Sequence, residues 1–309
     1  MGRGWASKAA AVTVVAVLSL LTIPGAARAA DTAAPVAVAS GAGSDVVVTN
    51  GWYASDPADT ISLYEPEGTG PFPAIVFVHG GAWGRAQPNT YELGWARDLA
   101  AAQHWVVAVI GYPTKVAHEQ VVEPKSVALA IGTVSRRPKV DLRRIALWGE
   151  SAGGQLALLA AYRDAQRLHP LVSAVVSISG PTDMVTEYSS LAQTALGAVT
   201  RFEGLTPAEA RRVNSARYRD TSPVNLVGPA DPPTFQAISR HDRLVPAGQV
   251  DRLDRLLANL NVAHQTVRLA GHSHSTTLES KKPAGAAQTV QELAVSFLTQ
   301  AFAKRRVSL

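Results

Sequence analysis

Short, mostly apolar runs recur along the chain at residues 74–78, 106–110, 145–148, 174–178, 234–238 and 266–269. Uninterrupted apolar runs, as opposed to an apolar/polar alternation, are the pattern of strands covered on both faces, as in a parallel sheet. Two earlier runs, 45–49 and 60–64, read as a leading antiparallel hairpin or edge. Between the strands, apolar residues return at helical spacing over 91–103, 124–135, 151–167, 247–260 and 287–304, for example Val250, Leu253, Leu256, Leu257 and Leu260. Strands alternating with helices predict an α/β fold with a mostly parallel, doubly wound sheet. The rhythm breaks over 181–227, which is polar and carries only short helical stretches such as 206–214. This segment reads as an insertion above the sheet, a small cap.

The N-terminal end follows a different pattern. Arg3 and Lys8 precede an apolar run over 9–23, followed by Pro24 and the A-x-A site Ala27-Arg28-Ala29. That is the layout of a secretory signal peptide, residues 1–29, cut after Ala29. The apolar run is shorter than the roughly 20 residues a bilayer requires, so a secreted product without a stable membrane anchor is expected. A small-residue linker over 30–44 then leads into one domain, 45–309, long enough to bury a sizeable core.

Charge and cysteine content remove several function classes. The formal net charge of +5 falls to +2 once Arg3, Lys8 and Arg28 leave with the leader, which holds no acidic residue. No long Lys/Arg stripe is visible beyond Lys304-Arg305-Arg306, which reads as a solvated tail, so no nucleic-acid partner is expected. With no cysteine in the chain, disulfides, a thiol nucleophile and thiolate metal ligands are excluded.

Candidate chemistry gathers where predicted strands end. The strand 145–148 runs into Gly149-Glu150-Ser151-Ala152-Gly153 and a helix follows. A bare G-x-S-x-G is weak, but between a strand and a helix it forms a nucleophile elbow, whose strained turn lifts the serine oxygen above the sheet. The bland reading is a glycine turn with Ser151 as an ordinary helix N-cap. Upstream, the strand 74–78 runs into His79-Gly80-Gly81-Ala82-Trp83. A glycine-rich loop there can aim backbone N–H groups at a developing oxyanion, and the amides of Gly81, Ala82 and Ala152 are the natural set. His79 is expected to support this loop and not to react.

A serine needs a base, and the base needs a carboxylate to orient it. Asp242 follows the strand 234–238, whereas Asp231 precedes it and Asp251 and Asp254 fall in the next helix, so those three are expected to be solvated. For the base, His272 and His274 stand two residues apart and would point the same way in an extended loop. His104, His118, His169 and His264 lie away from predicted strand ends. The His272/His274 pair alone is too little for a metal site.

These residues together resemble the α/β-hydrolase superfamily, specifically its hormone-sensitive-lipase-like and carboxylesterase-like serine esterases, over about residues 71–303. "HGGAW" and "GESAGG" carry the resemblance, with "SGPTD" at 179–183 and "TSPVNL" at 221–226 flanking the cap. The resemblance implies an α/β-hydrolase fold and a Ser-Asp-His triad of Ser151, Asp242 and, by G-x-x-H spacing from Gly271, His274. It implies no cofactor and no metal, and a small-molecule ester as substrate. Two positions depart from the family pattern: Ala82 stands where many members have a third glycine, and Ile238-Ser239-Arg240-His241 replaces the usual His-Gly pair before the acid. An arylformamidase or serine peptidase on the same scaffold, and an inactive binding module, are the alternatives. Exported material is expected to begin at Ala30 or within a few residues of it, as N-terminal sequencing would show; a membrane-bound product retaining residues 1–29 would indicate an anchor.

Overall fold

The apolar runs form one sheet of eight strands: β1 (Val46–Trp52), β2 (Thr60–Pro66), β3 (Phe72–Val78), β4 (Val106–Ile110), β5 (Val140–Glu150), β6 (Val172–Ile178), β7 (Thr234–Ser239) and β8 (His264–Leu269). The computed structural model describes residues 46–114, 124–184 and 219–307, all within the unit Pro35–Leu309. The leader 1–29, the linker 30–44, His118 and most of the expected cap, 185–218, lie outside the described residues. Strand order is β1-β2-β4-β3-β5-β6-β7-β8. The β1–β2 and β2–β4 junctions are antiparallel, as the leading hairpin predicts, and every later junction is parallel.

Helices α1 (Thr90–Gln103), α2 (Pro124–Ser135), α3 (Ala152–Ala165), α4 (Ala247–Asn259), the four-residue α5 (Thr276–Glu279) and α6 (Val290–Val307) surround the sheet. The two-residue period of the strands sorts the core into two layers. Val76 and Val78 of β3 pack with α2, α3 and α4 through residues such as Val127, Leu156 and Leu253. Ile75 and Phe77 face the other way, against Trp95 and Leu99 of α1 and Leu298 and Phe302 of α6. Both faces are therefore buried, which is why these strands read as continuous apolar runs.

Three expectations need correction. Asp231 is half-buried and accepts a hydrogen bond from Gly228 N (2.8 Å), and burial pushes its carboxyl up to about 6. Asp251 and Asp254 are engaged by Arg268, and Asp254 also by the Thr266 hydroxyl, so α4 is tied to β8. Lys304-Arg305-Arg306 belongs to the last turns of α6 and is no free tail, because the apolar spacing of that helix continues through Phe302.

The parallel register aligns the strand ends on one rim. Val78 pairs with Gly149, Glu150 with Ile178, Ile178 with Ala237, and Ser239 with Leu269. The loops after β3, β5, β6, β7 and β8 thus emerge side by side. A Cβ on Gly153 in the first turn of α3 would lie 2.0 Å from Val78 O and 2.4 Å from His79 O. Gly153→Ala is therefore expected to lower unfolding stability by about 2 kcal/mol or more, the overpacking range, in a urea titration. Gly94→Ala, at an exposed site on α1 with nothing within 4 Å of the added carbon, is expected to raise it by about 0.5–1 kcal/mol.

Candidate active site

Ser151 sits at the turn between β5 and α3 with φ 50° and ψ −121°. A left-handed φ is unfavourable for a residue with a Cβ, by about 1–2 kcal/mol, and is held only where the surroundings impose it. Here they do: Ser151 N donates to Ile178 O (2.8 Å), and a Cβ on Gly149 would fall 2.2 Å from Gly153 O. Only glycines allow the helix to start so close to the strand it has just left. The side chain of Ser151 makes no capping hydrogen bond to α3. The ordinary N-cap reading of this serine therefore fails, and its hydroxyl is turned elsewhere.

It is turned toward His274, whose Nε2 lies 2.9 Å from Ser151 Oγ. The other ring nitrogen, Nδ1, lies 2.7 Å from Asp242 Oδ2. Asp242 has a fully buried side chain, and its Oδ1 accepts from Leu244 N (2.8 Å) and Val245 N (3.0 Å). Backbone donors thus fix one carboxylate oxygen and leave the other for the imidazole. With Nδ1–H donating to Asp242, Nε2 presents a lone pair to the serine hydroxyl. His274 remains 19% exposed, open enough to exchange protons with a bound molecule.

His272 and His274 do not point the same way. The loop after β8 turns at Gly271 (φ 94°), and His272 Nδ1 lies 2.8 Å from His241 O, with its ring exposed. A further left-handed residue, Ser275 (φ 50°), leads into α5, and its amide donates to Ser179 Oγ (3.2 Å). The two histidines therefore have different partners, His272 a backbone carbonyl and His274 the pair Asp242 and Ser151.

The loop after β3 packs directly on the turn at Ser151. A Cβ on Gly80 would lie 3.0 Å from Glu150 O and 3.1 Å from Ser151 Cβ. Gly81, Ala82 and Trp83 all have positive φ, at 124°, 51° and 57°, so this loop winds in the left-handed sense. Among the described residues the amides of Gly81, Ala82 and Ala152 donate to no other group. His79 is buried and stacked on Tyr112 at a ring separation of 4.4 Å, while the Tyr112 hydroxyl donates to His79 O (2.8 Å). Its Nδ1 lies 2.6 Å from Gly80 O, and burial lowers its basicity, so the neutral ring supports the loop as expected. Arg85 Nη2 adds a second donor to Gly80 O (3.1 Å) and forms a bidentate pair with Glu92 at 2.5 and 2.9 Å.

Sequence reasoning missed the polar ties around this rim. Trp83 Nε1 donates to Gln155 Oε1 (2.8 Å), and Gln155 Nε2 donates to Thr221 O (2.7 Å), joining the loop after β3 to α3 and to "TSPVNL". "SGPTD" is fastened to the same region: Val224 N donates to Thr182 O (3.1 Å) and Met184 N to Ser222 Oγ (2.8 Å). Arg252 of α4 pairs with Asp183. The two ends of the insertion are therefore cross-tied beside Ser151. A glutamine in the fourth position of α3, amid small and apolar residues, was the one available clue. Among the described residues no cluster of three or more His or acidic side chains has the arrangement of a metal site.

The fold and this rim define an α/β-hydrolase. The family model BD-FAE matches residues 61–257, and the chain belongs to that family. It is 26% identical over 253 residues to "Probable carboxylic ester hydrolase LipM" of Mycobacterium tuberculosis, an alignment covering 75% of this chain. The chain spans 56% of the length of that curated relative. Among solved structures it is similar to esterase B of Lactobacillus Rhamnosis, with a TM-score of 0.63 at 18% identity over 85% of this chain and 87% of that one. A truncated carbohydrate esterase from gut microbiota gives 0.62 at 20% identity over 82% and 95%. An esterase of Pyrobaculum calidifontis gives 0.61 at 22% identity over 79% and 80%.

Proposed function

We propose that this protein is a serine hydrolase of carboxylic esters that works through an acyl-enzyme. The observation that carries the proposal is the continuous hydrogen-bonded line from Ser151 Oγ through both ring nitrogens of His274 to Asp242. In this reading His274 Nε2 takes the serine proton as Oγ attacks the ester carbonyl, and Asp242 holds the ring and stabilises the imidazolium. The free amides of Gly81, Ala82 and Ala152 receive the charge that develops on the carbonyl oxygen. His274 then protonates the leaving alcohol, and water repeats the sequence to release the acid. The names of the relatives, a carboxylic ester hydrolase and several esterases, support the ester as the substrate class.

The expected substrates are small esters with short acyl chains. A lipase needs a broad apolar groove and an amphipathic lid, whereas the insertion carries Glu209, Arg211, Arg212, Arg217 and Arg219 with scattered apolar residues. The leader 1–29 places the reaction outside the cell in this reading.

Ser151→Ala is expected to keep the fold, by circular dichroism, and to lose about three or more orders of magnitude in kcat, with an organophosphonate labelling Ser151 in the unaltered protein. His274→Ala is expected to be similarly impaired and His272→Ala nearly normal; the reverse pattern, or labelling at another residue, overturns the assignment. On p-nitrophenyl esters kcat/KM is expected to rise over the first few carbons, each buried methylene contributing about 0.8 kcal/mol, and to peak between acetate and about hexanoate. A steady rise through palmitate with activation at a lipid surface would show a lipase instead.

A further inference from the structure

Two acids that the reaction does not use lie next to it. Glu150, the residue before Ser151, is 2% exposed, and Glu279, which ends α5, is 0% exposed. Trp148 and Glu150, two residues apart, point to the same face of β5, and Glu279 lies against Trp148 there, which makes the two carboxyl groups neighbours. Glu279 Oε1 accepts from Trp148 Nε1 (2.8 Å), but Oε2 has no N–H or hydroxyl donor among the described residues. The remaining group able to supply that oxygen with a proton is the Glu150 carboxyl. Two ionised carboxylates in contact inside the protein would repel, so the pair must hold at least one proton.

The surroundings reinforce this. From α1, Glu92 adds negative charge near both acids, and the Tyr91 hydroxyl faces them. From the loop after β3, Arg85 is the nearby cation, and its guanidinium is already engaged bidentately by Glu92. Burial is the main cause that pushes Glu279 up to about 7 and Glu150 well above the usual carboxylate range.

We propose that Glu150 and Glu279 are positioning residues that share one proton at neutral pH, and that this hydrogen bond clamps the His274 loop onto the turn carrying Ser151. The proposal rests on the reading of Ser151 and His274 as nucleophile and base. Glu150 is covalently adjacent to the serine, and Glu279 lies five residues beyond the histidine, so the pair bridges the two reacting side chains from behind. The intervening loop includes the strained Ser275; beside the contacts of the His274 ring with Asp242 and Ser151, it is tied to the rim by Ser275 N to Ser179 Oγ (3.2 Å), and its other bonds, such as Thr277 Oγ1 to His274 O (2.7 Å), are local. Leu278, fully buried in the core layer shared with α6, keeps α5 docked when the clamp is lost. The clamp therefore acts on alignment and leaves the fold standing. Misplacing a reacting group by about 1 Å can lower a rate by about a hundredfold, so a loosened loop is expected to show in kcat.

The test measures kcat and KM on p-nitrophenyl acetate from about pH 6 to about pH 10 for the unaltered protein, Glu150→Gln and Glu150→Leu. In the unaltered protein kcat should decline on the alkaline side as the last shared proton leaves. Glu150→Gln, whose amide donates to Glu279 with no proton to lose, should stay within about threefold of it at neutral pH and lack that decline. Glu150→Leu should lose about tenfold or more in kcat with KM within about twofold. A Gln profile that superimposes on the unaltered one, or a folded Leu variant with unchanged kcat, overturns the proposal.

A stability readout separates its failure from that of the ester-hydrolase reading. An acid whose folded pKa is raised keeps a proton that the unfolded chain has released, so Glu279 makes stability fall as pH rises from about 4.5 to about 7. The urea midpoint should therefore drop more between about pH 5 and about pH 8 in the unaltered protein than in Glu279→Gln. Equal drops refute the shared proton whatever the activity. Unequal drops in a protein whose Ser151→Ala variant remains fully active would refute the reaction assigned to Ser151, and the positioning role with it.

Discussion

Everything at the rim depends on one close approach, that of the first turn of α3 to the ends of β3 and β5. Gly149 and Gly153 bring backbone to within a distance that no side chain could share, with Val78 O, His79 O and Gly153 O all inside the volume a Cβ would occupy. That approach forces the left-handed conformation of Ser151, sends its hydroxyl away from the capping position and turns the Ala152 amide toward the loop after β3. The strain is local and is sustained by the hydrogen bond from Ser151 N to Ile178 O and by a fully buried β5. A parallel sheet suits this purpose because its register lines up the ends of β3, β5, β6, β7 and β8, so that groups distant in sequence meet without long loops.

A second layer of interactions keeps the rim from collapsing into other arrangements. Loops at strand ends carry backbone polar groups that must find partners once buried. Gly80 O receives Arg85, His79 O receives Tyr112, and Trp83 reaches Thr221 through Gln155. These ties connect the loop after β3 to α1, α3 and the end of the insertion. Phe77, Trp95 and Trp148 pack ring against ring beneath them at 4.7 and 5.0 Å, so the indole of Trp148 that reaches Glu279 is itself immobilised by the core.

The centre of the sheet was readable in the sequence because burial on both faces writes itself as apolar runs: the strands and the five longer helices fall where the pattern places them, except that β5 begins at Val140, in the polar stretch before its run at 145–148. The turn at Ser151 was readable because its glycines are a steric necessity. Strand periodicity alone left the two histidines equivalent, and only the G-x-x-H spacing of the resemblance singled out His274; what distinguishes them in the structure is the partner each ring meets, which local sequence does not record. The four-residue α5 is too short to show a period, and its buried Glu279 reads as a surface residue until Trp148 and Glu150 are found against it. Asp231 was misjudged for the same reason: a polar residue between two strands looks solvated when its partner is a backbone amide three residues away.

Three acids lie around Ser151, and they differ in the hydrogen-bond donors that meet them. Asp242, Glu150 and Glu279 are all removed from solvent. Asp242 faces Leu244 N, Val245 N and His274 Nδ1, so both its oxygens meet hydrogen-bond donors. Glu279 has the single donor of Trp148, and its second oxygen meets another acid. A backbone turn after β7 gives Asp242 two of its donors, whereas the amide that follows Glu150, Ser151 N, is committed to Ile178 O. The same rim thus holds on one side of the serine an acid met by donors at both oxygens, and on the other a buried acid pair short of them.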